Sequence, residues 1–316
     1  MHVFVVGATG VIGRALLPRL IEADHQVTGL ARTPEKLLAV GRMGAAAARG
    51  DILDADGLHR LLSVHKPDVA VNLATSIPLN LKIQPEQWEQ NDRIRSQGTL
   101  NLVRACEASA VKLLVQESVG YVCASRGAEW IVEDSPRSAH SFLKATVAME
   151  DIVRSSALPG VLLRFAALMS PESWHVQQSV AALRRGMLPI VGDGSSYLSM
   201  IHAEDTALAI LAALERPQTS AGRTYNVVDD SPATMAEVIP YAASLLQAPT
   251  PKHVPPFLAK LVAGSLTIDI LTASYRMSGA RIRTELDFKP RYSTFRETWQ
   301  QIAGALGGKE LPLSTL

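Results

Sequence analysis

Gly7, Gly10 and Gly13 stand at a spacing of three, directly after the β-branched and aromatic run Val3 to Val6. Ile12, Leu16 and Leu20, with Ala15 and Ala23 beside them, then mark one face of a helix. A strand, a glycine turn and a helix in that order leave unpaired backbone N–H groups at a helix N-terminus, where the helix dipole favours negative charge. The chemistry this supports is the holding of a pyrophosphate. Gly7 allows the tight turn, Gly10 lets phosphates approach the backbone, and Gly13 lets helix and strand pack closely. Thr9, Val11 and Ile12 complete the expected cradle. Pro18 conflicts with this pattern, because a proline inside a helix removes a hydrogen bond and predicts a kink.

The residue after the second strand discriminates between the nicotinamide cofactors. An acid there would bond the ribose hydroxyls and repel a 2′-phosphate, whereas this chain carries Arg32, about twenty residues beyond the glycine turn. A guanidinium can clamp the extra phosphate, and Lys36 lies one helical turn further on. The expectation is therefore NADP(H) rather than NAD(H). Asp51 can accept from the adenine amino group with Ile52 packed on the ring, although Asp51 or Asp54 could instead cap the next helix. Leu73, Ala74 and Thr75 end the fourth strand, and their small size leaves room for the dinucleotide.

These residues need a scaffold that brings strand ends together. Strand and helix signals alternate through the first half: strands near Gln26 to Ala31, Ala45 to Arg49, Asp68 to Ala74, Lys112 to Val115 and Val161 to Arg164, with Thr224 to Val228 reading as one more strand further on. Long helices are expected over about Pro85 to Ala108 and about Ser141 to Ser155. The pattern implies a Rossmann-type, doubly wound parallel sheet in an α/β protein, with a smaller, mostly helical C-terminal substrate lobe. Residues 1–165 would form the dinucleotide-binding core, with 199–228 returning to it. Residues 166–198 and 229–290 would form the lobe, and 291–316 a C-terminal helix and tail, frayed after Gly307.

The 316 residues are 47% hydrophobic, enough for a full core, and 31 basic against 30 acidic residues give a net charge of +1. No Lys/Arg run stands out, so neither nucleic acid nor an anionic membrane is an expected partner. Cys106 and Cys123 have no metal-type spacing and suit a reducing, cytoplasmic compartment; no metal site is expected. No secretory leader is expected, because the first strand begins at residue 2 or 3. The longest apolar stretch, Phe257 to Ala273, is broken by Lys260 and Asp269, too interrupted to span a bilayer. It suits a pair of amphipathic helices in the lobe or at a subunit contact.

Taken in order, these pieces resemble the extended short-chain dehydrogenase/reductase superfamily, the NAD(P)-dependent epimerase/dehydratase group. The resemblance rests on Gly7 to Gly13, Gly50-Asp51-Ile52-Leu53-Asp54, Asn72 to Thr75, Gly98 to Leu102, Leu163-Arg164 through Pro171, Gly192-Asp193-Gly194, Ile201 to Ala207, Gly222 to Val227 and Leu286 to Pro290. It covers nearly the whole chain and is specific for the superfamily, not for a reaction. It implies dimerisation through the helices near 85–108 and 141–155.

The family's usual catalytic set is a Ser or Thr, plus a Tyr and a Lys four residues apart on one helix face. The ammonium lowers the phenol pKa so that the Tyr passes a proton while the nicotinamide passes hydride. Ser118 holds the expected Ser place. The Tyr–Lys pair is not intact, and two registers remain. In one, His140 replaces the Tyr and Lys144 keeps its place at the nicotinamide ribose, which favours it slightly. In the other, anchored on Glu150, Phe142 and Thr146 occupy the pair's places. Tyr121 is the nearest phenol and could substitute from the neighbouring loop. Glu117, Glu133 and Asp134 are spare carboxylates; Trp174, His175 and Tyr197 fall in the expected lobe. The leading expectation is an NADP(H)-dependent reductase or epimerase-type enzyme acting on a small carbonyl or hydroxyl substrate. The alternatives are a non-redox isomerase, cyclase or dehydratase on the same fold, and a non-catalytic dinucleotide-sensing regulator.

Overall fold

The structure, a computed structural model, describes residues 1–79, 85–138 and 141–312. Seven strands form one parallel sheet: β1 (His2–Val6), β2 (Gln26–Ala31), β3 (Ala46–Arg49), β4 (Val69–Asn72), β5 (Leu113–Val119), β6 (Gly160–Phe165) and β7 (Thr224–Val227). Their order across the sheet is β7-β6-β5-β4-β1-β2-β3, the doubly wound arrangement in which strand order reverses at β1. Helices α1 (Val11–Glu22), α2 (Pro34–Arg42), α3 (Ala55–His65), α4 (Thr99–Ala108) and α5 (Lys144–Ser155) connect the first six strands. Residues of β1 alternate between two apolar clusters: Val3 and Val5 join α1, while Phe4 and Val6 join α3 and α4. That two-sided burial is why the strand reads as a continuous apolar run.

Pro18 does not interrupt α1, which runs unbroken with Leu16, Leu17 and Leu20 buried. Packing of that face outweighs the one hydrogen bond the proline removes. The helix expected over 85–108 is segmented instead: a 3-10 turn at Pro85–Trp88, α-helix at Glu89–Arg93, a π segment at Ile94–Gly98, then α4. The π segment carries Arg95, whose guanidinium is buried against Glu117 of β5. Widened turns of this sort commonly mark functional sites.

A third apolar cluster joins α6 (Trp174–Arg184), α8 (Met235–Leu245) and α9 (Phe295–Leu306) through Val176, Val180, Leu183, Val238, Ile239, Trp299 and Ile302. In the chain between α6 and α8 lies α7 (Ala203–Glu215), which packs on α1 as part of the first apolar cluster. Two-stranded ladders stitch this region together, among them Ala167–Met169 with Met200–His202 and Trp130–Ile131 with Arg276–Met277. The segment after Gly307 is not loose as far as it is described. Arg184 donates to the carbonyls of Leu306, Gly307 and Lys309, and Gln178 to that of Pro312. No helix among the described residues is long and apolar enough to cross a membrane.

Candidate cofactor and active site

The glycine turn has the geometry its sequence requires. Gly7 has φ +81°, and a Cβ there would lie 2.6 Å from the Leu73 carbonyl carbon and oxygen at the end of β4. A Cβ on Gly13 would lie 2.5 Å from the carbonyl oxygens of Gly7 and Ala8. Both positions are closed to any side chain. Gly10 is exposed, its N–H turned back to the Gly7 carbonyl at 3.0 Å, and it begins α1 with no side-chain cap. The next N–H groups therefore face outward at the positive end of the helix. A dinucleotide pyrophosphate fits this cradle, where Thr9 and Gly10 to Ile12 would line it.

The ends of β4, β2 and β3 flank this turn in the sheet. Arg32 directly follows β2 and faces Asp51 across 3.6 Å, both side chains partly open to solvent. Lys36 is exposed in the first turn of α2, capped by Thr33. Asp51 accepts the Leu53 N–H at 3.0 Å, and Asp54 is the residue that caps α3. Ile52 is buried, its carbonyl held by Asn101 and its side chain beneath Gly98. Leu73 is buried, the Ala74 N–H is bonded to Asn72, and Thr75 is exposed. No group of three or more His, Cys, Asp or Glu among the described residues is placed to hold a metal ion.

At the end of β5 the structure departs from expectation. Ser118 is 0% exposed and its Oγ donates to Glu150 Oε1 at 2.8 Å. Glu150, on α5, also takes two hydrogen bonds from Arg164 of β6, each 2.8 Å, and pairs with Arg154 at 3.0 Å. Burial alone would raise the Glu150 pKa. The Arg164 guanidinium outweighs burial and holds the carboxyl below its ordinary value. Ser118 thus carries an inward hydroxyl held by a buried ion pair. Glu117 is no spare acid, since Arg95 holds it with two hydrogen bonds of 3.1 and 3.2 Å.

His140 falls outside the described residues. Lys144 opens α5 and is exposed, whereas Thr146 is buried. Phe142 packs edge-on against Trp88 with ring centroids 4.4 Å apart. Tyr121 packs edge-on against Tyr275 at 4.8 Å, and burial pushes its phenol pKa up. That direction is opposite to what a proton-passing tyrosine requires near neutral pH. Glu133 accepts the Asn226 N–H, Asp134 pairs with Arg281, and His175 Nε2 lies 2.9 Å from the Leu168 carbonyl oxygen. Trp174 is half-buried, and Tyr197 stacks with Arg276.

Sequence reasoning passed over Asp229, two residues beyond β7. It is 1% exposed, with Oδ1 on the Ser231 N–H and Oδ2 without a partner among the described residues. Burial pushes its carboxyl up to about 7. Its place after a strand at the sheet's C-terminal edge was the available signal. The Arg14–Glu172 and Arg95–Glu117 pairs were also missed, because neither has a local signature.

A doubly wound sheet with a vacant-of-side-chain phosphate turn at its first βα junction defines a dinucleotide-binding α/β protein. Comparison with known proteins gives the family. Residues 3–227 match the NAD dependent epimerase/dehydratase family, and the chain belongs to it. It is similar to a Streptomyces 3-diazoavenalumate denitrifying reductase, 32% identical over 306 residues, 94% of this chain and 98% of the relative. A 2-alkyl-3-oxoalkanoate reductase of Shewanella oneidensis is 28% identical over 303 residues, covering 87% of this chain and 73% of the relative. Among solved structures, a human epimerase family protein with NADPH superposes with a TM-score of 0.80 at 21% identity, covering 96% of this chain and 99% of that one. The family and the similarity to reductases make this chain an NAD(P)-dependent enzyme of oxidoreductase/epimerase type.

Proposed function

We propose that the protein is an NADPH-dependent reductase of a small electrophilic substrate. The observation that carries the reading is Arg32, at the end of β2, where a carboxylate would exclude a 2′-phosphate. Gly7 to Gly13 would hold the pyrophosphate, Arg32 and Lys36 the 2′-phosphate, and Leu73 to Thr75 would border the dinucleotide. When bound, the cofactor supplies hydride. Two of the relatives named above are called reductases, which supports reduction over epimerisation.

The register anchored on Glu150 describes the α5 region best, because Glu150 is fixed under β5 while Lys144 is exposed. Phe142 and Thr146 then occupy the Tyr and Lys places, and neither side chain can ionise. Substrates that need little proton donation at the reacting atom suit such a site. A diazonium carbon is one, since hydride attack there yields a C–H bond and N2 with no proton taken up; hydride addition to the ketone of a β-keto acid instead leaves an alkoxide that would take its proton from water. The test is to incubate the protein with NADPH deuterated at the transferable position and an aryl diazo acid or a 2-alkyl-3-oxoalkanoate. Deuterium in the product is expected. Product without deuterium and without NADPH oxidation would establish the non-redox reading, which the burial of Ser118 favours.

A further inference from the structure

Arg14 lies one turn into α1, yet its side chain bends back over the glycine turn. Its Nη1 donates to the Thr9 carbonyl at 2.9 Å and its Nε to Glu172 Oε2 at 2.7 Å. The guanidinium therefore stands at the rim of the cradle whose N–H groups face outward. Both partners are open to solvent, 44% and 58% exposed, so their pairing contributes little to stability. Glu172 sits 158 residues further along the chain, in the turn between the Ala167–Met169 ladder and α6. The turn itself is braced by Ser170, whose hydroxyl accepts the Glu172 N–H. The pair is a direct tie between the phosphate turn and the region that packs as the third apolar cluster.

We propose that Arg14 is a ligand of the cofactor pyrophosphate and that Glu172 is the counter-ion it exchanges when the dinucleotide binds. The tether to the Thr9 carbonyl keeps the guanidinium beside the place a pyrophosphate occupies, and a guanidinium binds phosphate oxygens through paired N–H donors. Glu172 occupies that charge in the free protein. A carboxylate held there would repel the incoming phosphates, so binding must displace it. The exchange releases the 170–173 turn from the glycine turn and couples cofactor occupancy to the start of α6. The inference rests on the cofactor cradle, not on the NADPH preference, because the pyrophosphate is common to both nicotinamide cofactors.

The test titrates NADPH and NADH by calorimetry into the wild-type chain, Arg14→Gln and Glu172→Gln. Arg14→Gln is expected to weaken both nucleotides by the same factor, about tenfold, the size of one charge-assisted bond. Glu172→Gln is expected to tighten both by roughly threefold. The thermal midpoints of the free variants should match wild type, which separates ligand contact from folding. Unchanged affinity in Arg14→Gln would overturn the proposal. So would a loss in Glu172→Gln, since Glu172 would then be holding Arg14 in place instead of competing for it. A wild-type chain that binds neither nucleotide would overturn the cradle and the proposal together, whereas failure of deuterium transfer would leave the proposal standing.

Discussion

The glycine turn after β1 and the polar cluster after β5 lie at the same edge of one sheet, and they are built in opposite ways. The turn works through backbone N–H groups and needs side chains to be absent: a Cβ at Gly7 or Gly13 would meet carbonyl atoms within 2.6 Å. The β5 cluster works through side chains, with Ser118, Glu150 and Arg164 joined by hydrogen bonds of 2.8 Å in full burial. A backbone site has one use, and its sequence states it. A side-chain cluster is fixed by partners from several elements, here β5, α5 and β6, and no one of them states it.

The largest expected effect falls on the turn. Gly13→Ala should abolish measurable NADPH binding, a loss of about 100-fold or more, since binding would demand that the β1–α1 junction move; calorimetric titration reads it. On the other side of the comparison, Glu150→Ala should cost about 3–5 kcal/mol in denaturant unfolding, because Arg164 is left buried and unpaired. Replacing both partners with apolar residues of similar volume, Glu150→Leu with Arg164→Met, should recover most of that loss.

Asp229 gives a smaller, pH-dependent effect. Its folded pKa is raised to about 7 by burial, above the unfolded value, so the folded state holds a proton that the unfolded state releases. Its contribution is complete below about pH 4 and is lost as pH rises to about 7. Thermal midpoints should therefore fall over that window relative to Asp229→Asn, and the difference should level off above it. The smallest effect is expected at Ser118→Ala: about 1 kcal/mol of stability for one lost hydrogen bond, with the turnover rate within about threefold of wild type. A rate loss of about a hundredfold or more, with stability intact, would restore the serine to the chemistry and erase the contrast between the two regions.

What could be read from the sequence follows the same division. The seven strands, the crossover helices and the turn were legible because each signal is local: β-branched runs, a glycine spacing, a charge at a strand end. The role proposed for Arg32 rests on a signal of the same local kind, its distance from that turn. The burial of Ser118 was not legible, since it is fixed by Glu150 and Arg164 from two other elements. The π segment at Ile94–Gly98 was read as plain α-helix, because the Arg95–Glu117 contact it carries joins residues remote in the chain. Arg14 carries no signal of its own in the sequence, because its partner Glu172 is remote in the chain.

The claim that a readable phosphate turn and a single guanidinium define the cofactor is tested most directly by comparing NADPH and NADH affinity in the wild-type chain and in Arg32→Glu. The account predicts that wild type binds NADPH at least about tenfold more tightly, the worth of one charge-assisted phosphate contact, and that Arg32→Glu removes or reverses the preference. Equal or tighter binding of NADH by wild type, or an NADPH preference that survives Arg32→Glu, would contradict it.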